Sequence, residues 1–305
     1  MMSVPVPLRW WRLSLPLAPE LEESLLWKLD SLGLQRVSVE HAPEHPDQRT
    51  LHLWLPAPEW PEPERVALLA SLEPLARTFD LALTDPEWCE LDDEDWSLTW
   101  KQHWEPDPVG ATLLILPAWL EPPAEQAHRL VLRMDPGSAF GTGSHPTTRL
   151  CLEALEQQPP EGLRVADLGC GSGILGLAAL AMGASTVFAV DTDSLAVRAT
   201  AENARLGAVP AESLVVRQGS ADVLAALLEG QPADLMLCNI LAPVIEALAP
   251  AFESLIKPSG RGLLSGLLLE QAPRLSAVLE ALGWQVSDQA AQGRWGLLEI
   301  RRSLS

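Results

Sequence analysis

Residues 165–175 read Val-Ala-Asp-Leu-Gly-Cys-Gly-Ser-Gly-Ile-Leu, a pattern that indicates a buried strand, a glycine turn and the start of a helix. Glycines at alternate positions let a backbone pass close under a ligand, where a side chain would collide with it. One strand–helix unit later, residues 186–191 form a hydrophobic strand that ends in Asp191. An acid about twenty residues past a glycine turn suits the two hydroxyls of a ribose. The chain is therefore predicted to bind an adenosine-containing cofactor across the carboxyl ends of two neighbouring parallel strands.

The order of residues in this turn favours one such cofactor. Dinucleotide-binding turns usually read G-x-G-x-x-G and face a pyrophosphate, whereas this turn reads D-x-G-x-G-x-G. Asp167 is expected to place a carboxylate at the mouth of the turn, where it would repel a pyrophosphate and attract a cationic ligand. S-adenosylmethionine carries an ammonium and a sulfonium and no phosphate. A nicotinamide-dependent oxidoreductase is the alternative from another enzyme class. The residues predicted to contact the methyl donor are Asp167, Gly169, Gly171, Gly173 and Asp191.

Length and composition place the chain in a broad class. Its 305 residues, of which 47% are hydrophobic, suffice for two domains with sizeable cores. No apolar run reaches the length of a membrane span, and the N-terminus lacks the basic and apolar regions of a signal peptide. We therefore expect a cytoplasmic protein with no membrane partner. The four cysteines show no C-x-x-C pairing, so each is predicted to be a small buried residue and not a disulfide or metal ligand.

The charge of the chain is strongly acidic and uneven. The net charge is −20, and residues 1–130 hold 9 Lys and Arg against 23 Asp and Glu. Such a chain has no general electrostatic means of holding a phosphate backbone, so direct nucleic-acid binding is not expected. A basic protein partner fits better. The charge could also serve solubility alone.

Residues 1–85 are predicted to form a small α+β domain. The hydrophobic pattern predicts strands and helices in the order β-α-β-β-α-β, which is typical of a ferredoxin-like fold. That fold has many functions and does not identify one. The predicted strands are 8–17, 34–40, 50–55 and 78–83, and the predicted helices are 19–33 and 63–76.

Residues 86–120 are predicted to be a linker helix and connector. Trp96, Trp100 and Trp104 recur at a spacing of four, which places them on one helix face. This stripe could pack against a neighbouring domain or contact a partner directly. Ten of the twelve tryptophans precede residue 120, and this aromatic area could be core or interface.

Residues 121–305 are predicted to form a doubly wound α/β domain that binds the cofactor. Strands alternate with helices, and a closing antiparallel hairpin follows. The predicted strands are 163–168, 186–191, 213–218, 233–239, 262–264, 285–290 and 295–300.

Two further segments carry candidate chemistry. Residues 134–149 form a glycine-rich segment with Phe140, His145 and Thr148, which we interpret as a lid over the methionine end of the donor. Asn239 ends a strand and could accept a hydrogen bond from an incoming amine; a helix N-cap is the ordinary role of such an Asn. Ile240-Leu241-Ala242 follows and supplies no aromatic ring to stack a flipped base, which disfavours a nucleic-acid substrate.

These segments together resemble the ribosomal protein L11 methyltransferases. The resemblance rests on residues 139–148 (Ala-Phe-Gly-Thr-Gly-Ser-His-Pro-Thr-Thr), on residues 167–175 and on residues 238–242 (Cys-Asn-Ile-Leu-Ala). It covers residues 90–300 well, and residues 1–85 only in predicted topology and length. The segment 139–148 is its distinctive element, because many methyltransferases share the D-x-G-x-G-x-G turn.

The resemblance implies an N-terminal domain that recognises a basic large-subunit ribosomal protein and a class I catalytic domain that methylates lysine side chains and the N-terminal amine. It implies that Thr148, Gly169, Asp191 and Asn239 contact the methyl donor and that Phe140 and His145 lie near it. Asn239 and His145 are the candidate catalytic residues, with His145 a candidate base. A methyltransferase acting on another protein or on RNA is the alternative within the same chemistry.

Overall fold

The computed structural model describes residues 9–34, 36–42, 45–79, 81–83, 86–92, 104–135, 143 and 145–303. The chain divides into two compact units, Met1–Glu105 and Pro106–Ser305. This division falls within the segment 86–120 that is predicted to be a connector. The predicted helix with Trp96 and Trp100 lies outside the described residues. Every helix in the described ranges is too short or too polar to cross a membrane.

The first unit is a four-stranded antiparallel sheet with two helices. Its elements are β1 (Arg9–Leu17), α1 (Glu22–Ser31), β2 (Val37–Ala42), β3 (His45–Pro56), α2 (Glu62–Thr78) and β4 (Glu87–Asp92). The strand order is β2-β3-β1-β4, and each neighbouring pair is antiparallel. Two interleaved β-α-β units produce this order, so the predicted ferredoxin-like topology is confirmed.

The last strand of the first unit begins later than predicted, and the expectation of a strand over residues 78–83 is wrong. Helix α2 runs to Thr78 because its buried stripe of Leu68, Leu72 and Ala76 continues into its last turn. Residues 81–83 form an irregular segment whose leucines pack against the same core. The edge strand is β4, which pairs with β1.

The tryptophans of the first unit are divided between packing and exposure. Trp10 and Trp54 are 2% exposed and alternate with the core leucines of β1 and β3, so they lie on the sheet face opposite to those leucines. The guanidinium of Arg65 stacks on Trp11 at 3.7 Å from the ring centroid. Trp27 on α1 is 63% exposed. Part of the aromatic area is therefore core and part is surface.

The second unit contains a small and a large sheet. In the small sheet, β5 (Asp107–Val109) pairs antiparallel with β6 (Leu113–Pro117), which pairs parallel with β7 (Leu130–Met134). The large sheet consists of β8 (Arg164–Leu168), β9 (Thr186–Asp191), β10 (Leu214–Gln218), β11 (Ala233–Asn239), β12 (Ile256–Leu268), β13 (Trp284–Gln292) and β14 (Trp295–Arg302). Its order is β10-β9-β8-β11-β12-β14-β13, with the first five strands parallel and the last two antiparallel to their neighbours.

Helices cover both faces of the large sheet. They are α3 (Pro146–Gln157), α4 (Ile174–Ala181), α5 (Ser194–Leu206), α6 (Ala221–Leu227), α7 (Ala242–Leu248), α8 (Phe252–Leu255) and α9 (Ala272–Ala281). One core joins the sheet to α6, α7, α8 and α9, and a second core joins it to α3, α4 and the small sheet. The predicted doubly wound sheet is confirmed. Strand β12 is far longer than the predicted 262–264. The prediction was too short because glycines interrupt the hydrophobic pattern of this strand.

The position of β8 decides where a ligand can bind. Strand β8 lies between β9 and β11, and the chain reverses its direction of winding at this point. The carboxyl ends of these three parallel strands meet at one edge of the sheet. Ligands of open α/β sheets bind at such a switch point. The predicted turn 169–173, Asp191 and Asn239 follow or end these three strands.

Helix α3 is tied to the small sheet by two side chains. Arg149 donates to Asp107, with 2.8 Å between Nη1 and Oδ2, and both side chains are partly buried. The carboxylate of Glu156 accepts from the amide of Ala111 at 2.9 Å. The Arg149 contact holds the N-terminal turn of α3, which contains Thr148, and the Glu156 contact holds its last turn.

Candidate functional site

The turn after β8 has a conformation that requires glycine. Gly169, Gly171 and Gly173 have φ angles of +79°, +54° and +83°, a region that L side chains rarely adopt. A Cβ atom at Gly169 would lie 2.4 Å from Cγ2 of Ile240, and one at Gly173 would lie 2.8 Å from Cγ2 of Thr200. The predicted glycines therefore serve both the turn conformation and the close packing of its neighbours.

Asp191 ends β9 and is held by the backbone around it. Its Oδ2 accepts from the amide of Gly171 at 2.9 Å, and its Oδ1 accepts from the amide of Asp193 at 2.9 Å. An ionised carboxylate has about four acceptor positions, so two such bonds leave capacity for further donors. The geometry presents a fixed acceptor beside the glycine turn, which is what a ribose with two adjacent hydroxyls requires.

Asp167 lies beneath the turn. The residue is only 1% exposed, and its Oδ2 accepts from the amide of Gly176 at 3.0 Å. A Cβ atom at Gly176 would lie 3.0 Å from this oxygen, so the absence of a side chain there lets α4 approach β8 closely. Burial outweighs the lowering effect of the Gly176 amide and, together with the nearby Asp191 carboxylate, raises the pKa of the Asp167 carboxyl from 3.8 to about 7. The expectation that Asp167 places its carboxylate at the mouth of the turn is therefore wrong: the side chain is buried beneath the turn and supports it from below.

This burial predicts a pH dependence of stability. The folded pKa lies above the unfolded value, so the folded state binds the proton more tightly between pH 3.8 and about 7. The contribution of Asp167 to the free energy of unfolding is therefore largest at low pH and is lost as the pH rises through about 7. We expect Asp167→Asn, which cannot ionise, to gain stability relative to wild type as the pH rises from 4 to 8. Urea titrations at several pH values measure this, and parallel curves for the two proteins would contradict it.

Asn239 and Thr148 meet across the switch point. The Nδ2 group of Asn239 donates to Oγ1 of the buried Thr148, with 3.3 Å between the two atoms. The following helix α7 has Leu241 as its N-cap, so the interpretation of Asn239 as a helix cap is wrong. The bond to Thr148 fixes the amide plane and leaves the Oδ1 atom as the acceptor of this side chain.

The backbone after Asn239 is shaped by a glycine of the neighbouring strand. Gly266 on β12 has a φ angle of +84°, and a Cβ atom there would lie 2.3 Å from the carbonyl oxygen of Ile240. The side chain of Ile240 in turn covers Gly169. Gly266 therefore allows the segment after β11 to approach the glycine turn, a role that is not evident from its place in the sequence.

His145 caps helix α3. Its Nδ1 atom accepts from the amide of Thr147 at 3.3 Å and lies 2.7 Å from Oγ1 of the same residue. The ring also packs edge-on against Trp295, with 4.8 Å between centroids. These contacts support a structural function for the Nδ1 side of the ring, and the role of His145 as a base stays a prediction. Phe140 lies outside the described residues.

Two polar residues of α5 donate hydrogen bonds to the turn, and neither was predicted as a site residue from the sequence. Thr200 donates to the carbonyl of Gly171 and Asn203 to that of Ser172, each at 2.9 Å. Both side chains are buried on a helix face otherwise made of alanines. Polar residues at helical spacing on an apolar stripe are the signal that could have identified them.

Three of the four cysteines are buried thiols that ionise with difficulty. Burial raises the pKa of the Cys151 thiol to about 12 and also raises the pKa of Cys170 and Cys238. All four cysteines are free, and Cys89 is exposed, so the expectation that each is buried is wrong for Cys89. Cys89 lies on the edge strand β4, whose outer side lacks a neighbouring strand within the described residues.

The arrangement selects for a nucleoside ligand with positive charge. Asp191 supplies an acceptor for hydroxyl groups. The buried Asp167 lies close enough to interact electrostatically with the Asp191 carboxylate. A carboxylate beside a glycine turn disfavours a pyrophosphate and favours a cation. The residues present therefore fit S-adenosylmethionine, whose sulfonium and ammonium are cationic.

Comparison with known proteins gives a consistent assignment. Residues 9–303 match the family described as Ribosomal protein L11 methyltransferase (PrmA). The chain is 69% identical over 284 residues to the Ribosomal protein L11 methyltransferase of Parasynechococcus marenigrum (strain WH8102), covering 93% of this chain and 98% of that protein. It is 63% identical over 301 residues to the protein of that name from Prochlorococcus marinus (strain MIT 9313), covering 99% and 100%. A crystal structure of ribosomal protein L11 methylase from Lactobacillus delbrueckii subsp. bulgaricus is similar with a TM-score of 0.57 and 31% identity, covering 66% of this chain and all of that one.

Proposed function

Because the chain belongs to the ribosomal protein L11 methyltransferase family, we propose that it transfers methyl groups from S-adenosyl-L-methionine to amino groups of ribosomal protein L11. The acceptors are lysine side chains and the N-terminal amine, and the reaction takes place in the cytoplasm. The observation that carries this proposal is the meeting of the glycine turn, Asp191 and the Thr148–Asn239 pair at one switch point.

The residues around the turn account for binding of the donor. Gly169 and Gly171 bring the backbone close to the ligand, and Asp191 accepts hydrogen bonds from the ribose hydroxyls. Asp167 supports the turn from below through its bond to the Gly176 amide, and Thr148 borders the same space on α3. S-adenosylmethionine, when bound, supplies a methyl group that is already activated by a positively charged sulfur.

The chain's own contribution to the reaction is mainly alignment. Asn239 presents its Oδ1 atom to the amine, and its bond to Thr148 prevents the amide from rotating. A lysine with a pKa of about 10.4 must lose a proton before it can act as a nucleophile. The apolar side chain of Ile240 covers Gly169 beside this point, and desolvation there lowers the pKa of an amine. Placement of two reactants in line supplies much of such a rate enhancement.

The first unit is proposed to recognise the substrate. It carries a large share of the acidic residues, and ribosomal proteins are basic because they bind RNA. Direct binding of RNA by this chain is not part of the proposal.

A single set of assays tests these roles. We expect the full chain to add methyl groups to purified L11, detected by mass spectrometry of the intact protein, with a rate that falls as salt is added because charge attraction is screened. A fragment comprising residues 106–305, which has its own cores, should bind the donor and methylate L11 poorly.

The controls separate the competing functions. Ribosomal RNA and an unrelated basic protein are offered in place of L11, and NAD replaces the donor in calorimetry. Methylation of RNA but not of L11, or binding of NAD but not of S-adenosylmethionine, would reject the proposal. Full activity of the 106–305 fragment on L11 would reject only the proposal that the first unit recognises the substrate.

A further inference from the structure

Asn203 on helix α5 joins two separate segments of the candidate site. Its Nδ2 group donates to the carbonyl of Ser172 at 2.9 Å, inside the glycine turn. Its Oδ1 atom accepts from the amide of Asp135 at 2.9 Å, at the end of β7. The side chain is fully buried. One amide group therefore connects the turn after β8 to the end of a strand in the small sheet.

Only an amide side chain of this size satisfies both contacts. Ser172 offers an acceptor and Asp135 offers a donor, so the bridging group must donate at one end and accept at the other. A carboxylate of the same shape accepts at both ends and would face the Ser172 carbonyl with a second oxygen. An apolar side chain would leave two backbone groups without partners, which is costly in a buried site.

The neighbouring residue Thr200 has a simpler role. Its hydroxyl donates to the carbonyl of Gly171 at 2.9 Å and contacts Sγ of Cys170 at 3.4 Å, both within the turn. Thr200 therefore supports the turn without reaching β7. The pair offers a comparison between a residue that braces the turn alone and one that also fixes its position against the small sheet.

We propose that Asn203 is a positioning residue for the methyl donor, holding the glycine turn in register with the end of β7 so that both border the donor in one arrangement. This inference rests on the proposed function, because it concerns the same cofactor. Asn203 acts through the turn and has no contact with the reacting atoms. Its effect is therefore on donor affinity more than on the methyl transfer itself.

The variant Asn203→Asp tests the donor half of the bridge. At pH 8 we expect its affinity for S-adenosylhomocysteine, measured by calorimetry, to fall about tenfold or more, since a hydrogen bond is replaced by a repulsive contact. The KM for S-adenosylmethionine should rise to a similar extent, with kcat at saturating donor changed by less than about threefold. Thr200→Val should weaken donor binding less, because one bond to the turn is lost without a repulsion.

Lowering the pH provides a readout that general loss of structure would not give. A protonated carboxyl donates one O–H bond, so the affinity of Asn203→Asp should recover towards the wild-type value between pH 8 and pH 5. Wild-type protein in the same buffers is the reference, because the acidic side chains of Asp135, Asp167 and Asp191 also lie around this site. An affinity deficit that is the same at every pH would overturn the proposed bridge.

A second pair of variants tests the other half if Asn203→Asp does not fold. Asp135→Pro removes the amide that donates to Asn203, and Asp135→Ala keeps it. We expect the proline variant to bind S-adenosylhomocysteine more weakly than the alanine variant; equal affinities would overturn the inference. Wild-type protein that binds no S-adenosylhomocysteine would overturn the proposed function itself, whereas normal binding by both Asn203→Asp at pH 8 and Asp135→Pro would overturn only the role of Asn203.

Discussion

Replacing Asn239 with Ala is expected to lower kcat about a hundredfold and to weaken binding of the methyl donor by a smaller factor. Its Nδ2 group is bound to Thr148, so its Oδ1 atom is held in one direction at the end of β11. Alignment of the amine matters most in the transition state, and loss of a group that aligns it appears in turnover. Single-turnover kinetics with L11, together with calorimetry of S-adenosylhomocysteine, measure the two quantities separately.

The variant Thr148→Val is the matched control for this prediction. Valine keeps the shape of threonine and removes the acceptor for the Asn239 amide, so the amide can rotate but is still present. Its kcat should fall between that of wild type and that of Asn239→Ala. A normal kcat for the Asn239 variant would show that the amine is aligned by another group.

Replacing Asp191 with Ala is expected to weaken donor binding about ten- to a hundredfold, equivalent to about 1.5–3 kcal/mol for hydrogen bonds to a charged group. The change removes the acceptor proposed for the ribose and also leaves the amides of Gly171 and Asp193 without this partner. Both effects are local to the ligand site, so we expect the loss of binding free energy for the donor to exceed the loss of unfolding free energy. Calorimetric titration with S-adenosylhomocysteine measures the loss.

Asp193→Ala is the matched control for Asp191. Asp193 is the N-cap of α5, where its side chain accepts from the amide of Leu195 at 2.8 Å. Its removal should cost about 1 kcal/mol of unfolding free energy and leave donor affinity nearly unchanged. Equal affinity losses in the two variants would indicate that Asp191 acts only by supporting local structure.

The parts of the fold that follow from local pattern were predictable. The residues around 165–175 carry the spacing of a strand, a glycine turn and a helix, and the alternation of strands and helices after it is typical of a parallel sheet. Asn239 and Asp191 could be placed near each other because the carboxyl ends of parallel strands meet at one edge. The first unit was recognisable from its element order, although its last strand was misplaced.

Features that depend on contacts between distant segments were not predictable in the same way. Gly266 is needed only because β12 passes beside the backbone of Ile240, and Gly176 only because α4 approaches β8. Asn203 and Thr200 look like ordinary helix residues until the turn is placed against them. The expected exposure of Asp167 was inferred from its place in the motif, whereas its burial follows from the packing of α4 on the sheet.

The distribution of the free thiols has a practical consequence. Cys151, Cys170 and Cys238 are buried with raised pKa values, whereas Cys89 is exposed on β4 of the first unit. Thiol reagents attack exposed thiolates, so a maleimide dye should attach to the native chain once, at Cys89. Peptide mapping of the labelled protein identifies the site, and Cys89→Ser should take up no dye unless denatured. The native sequence thus carries a single attachment point for a fluorophore on the unit proposed to recognise L11, and association could be followed without engineering any other residue.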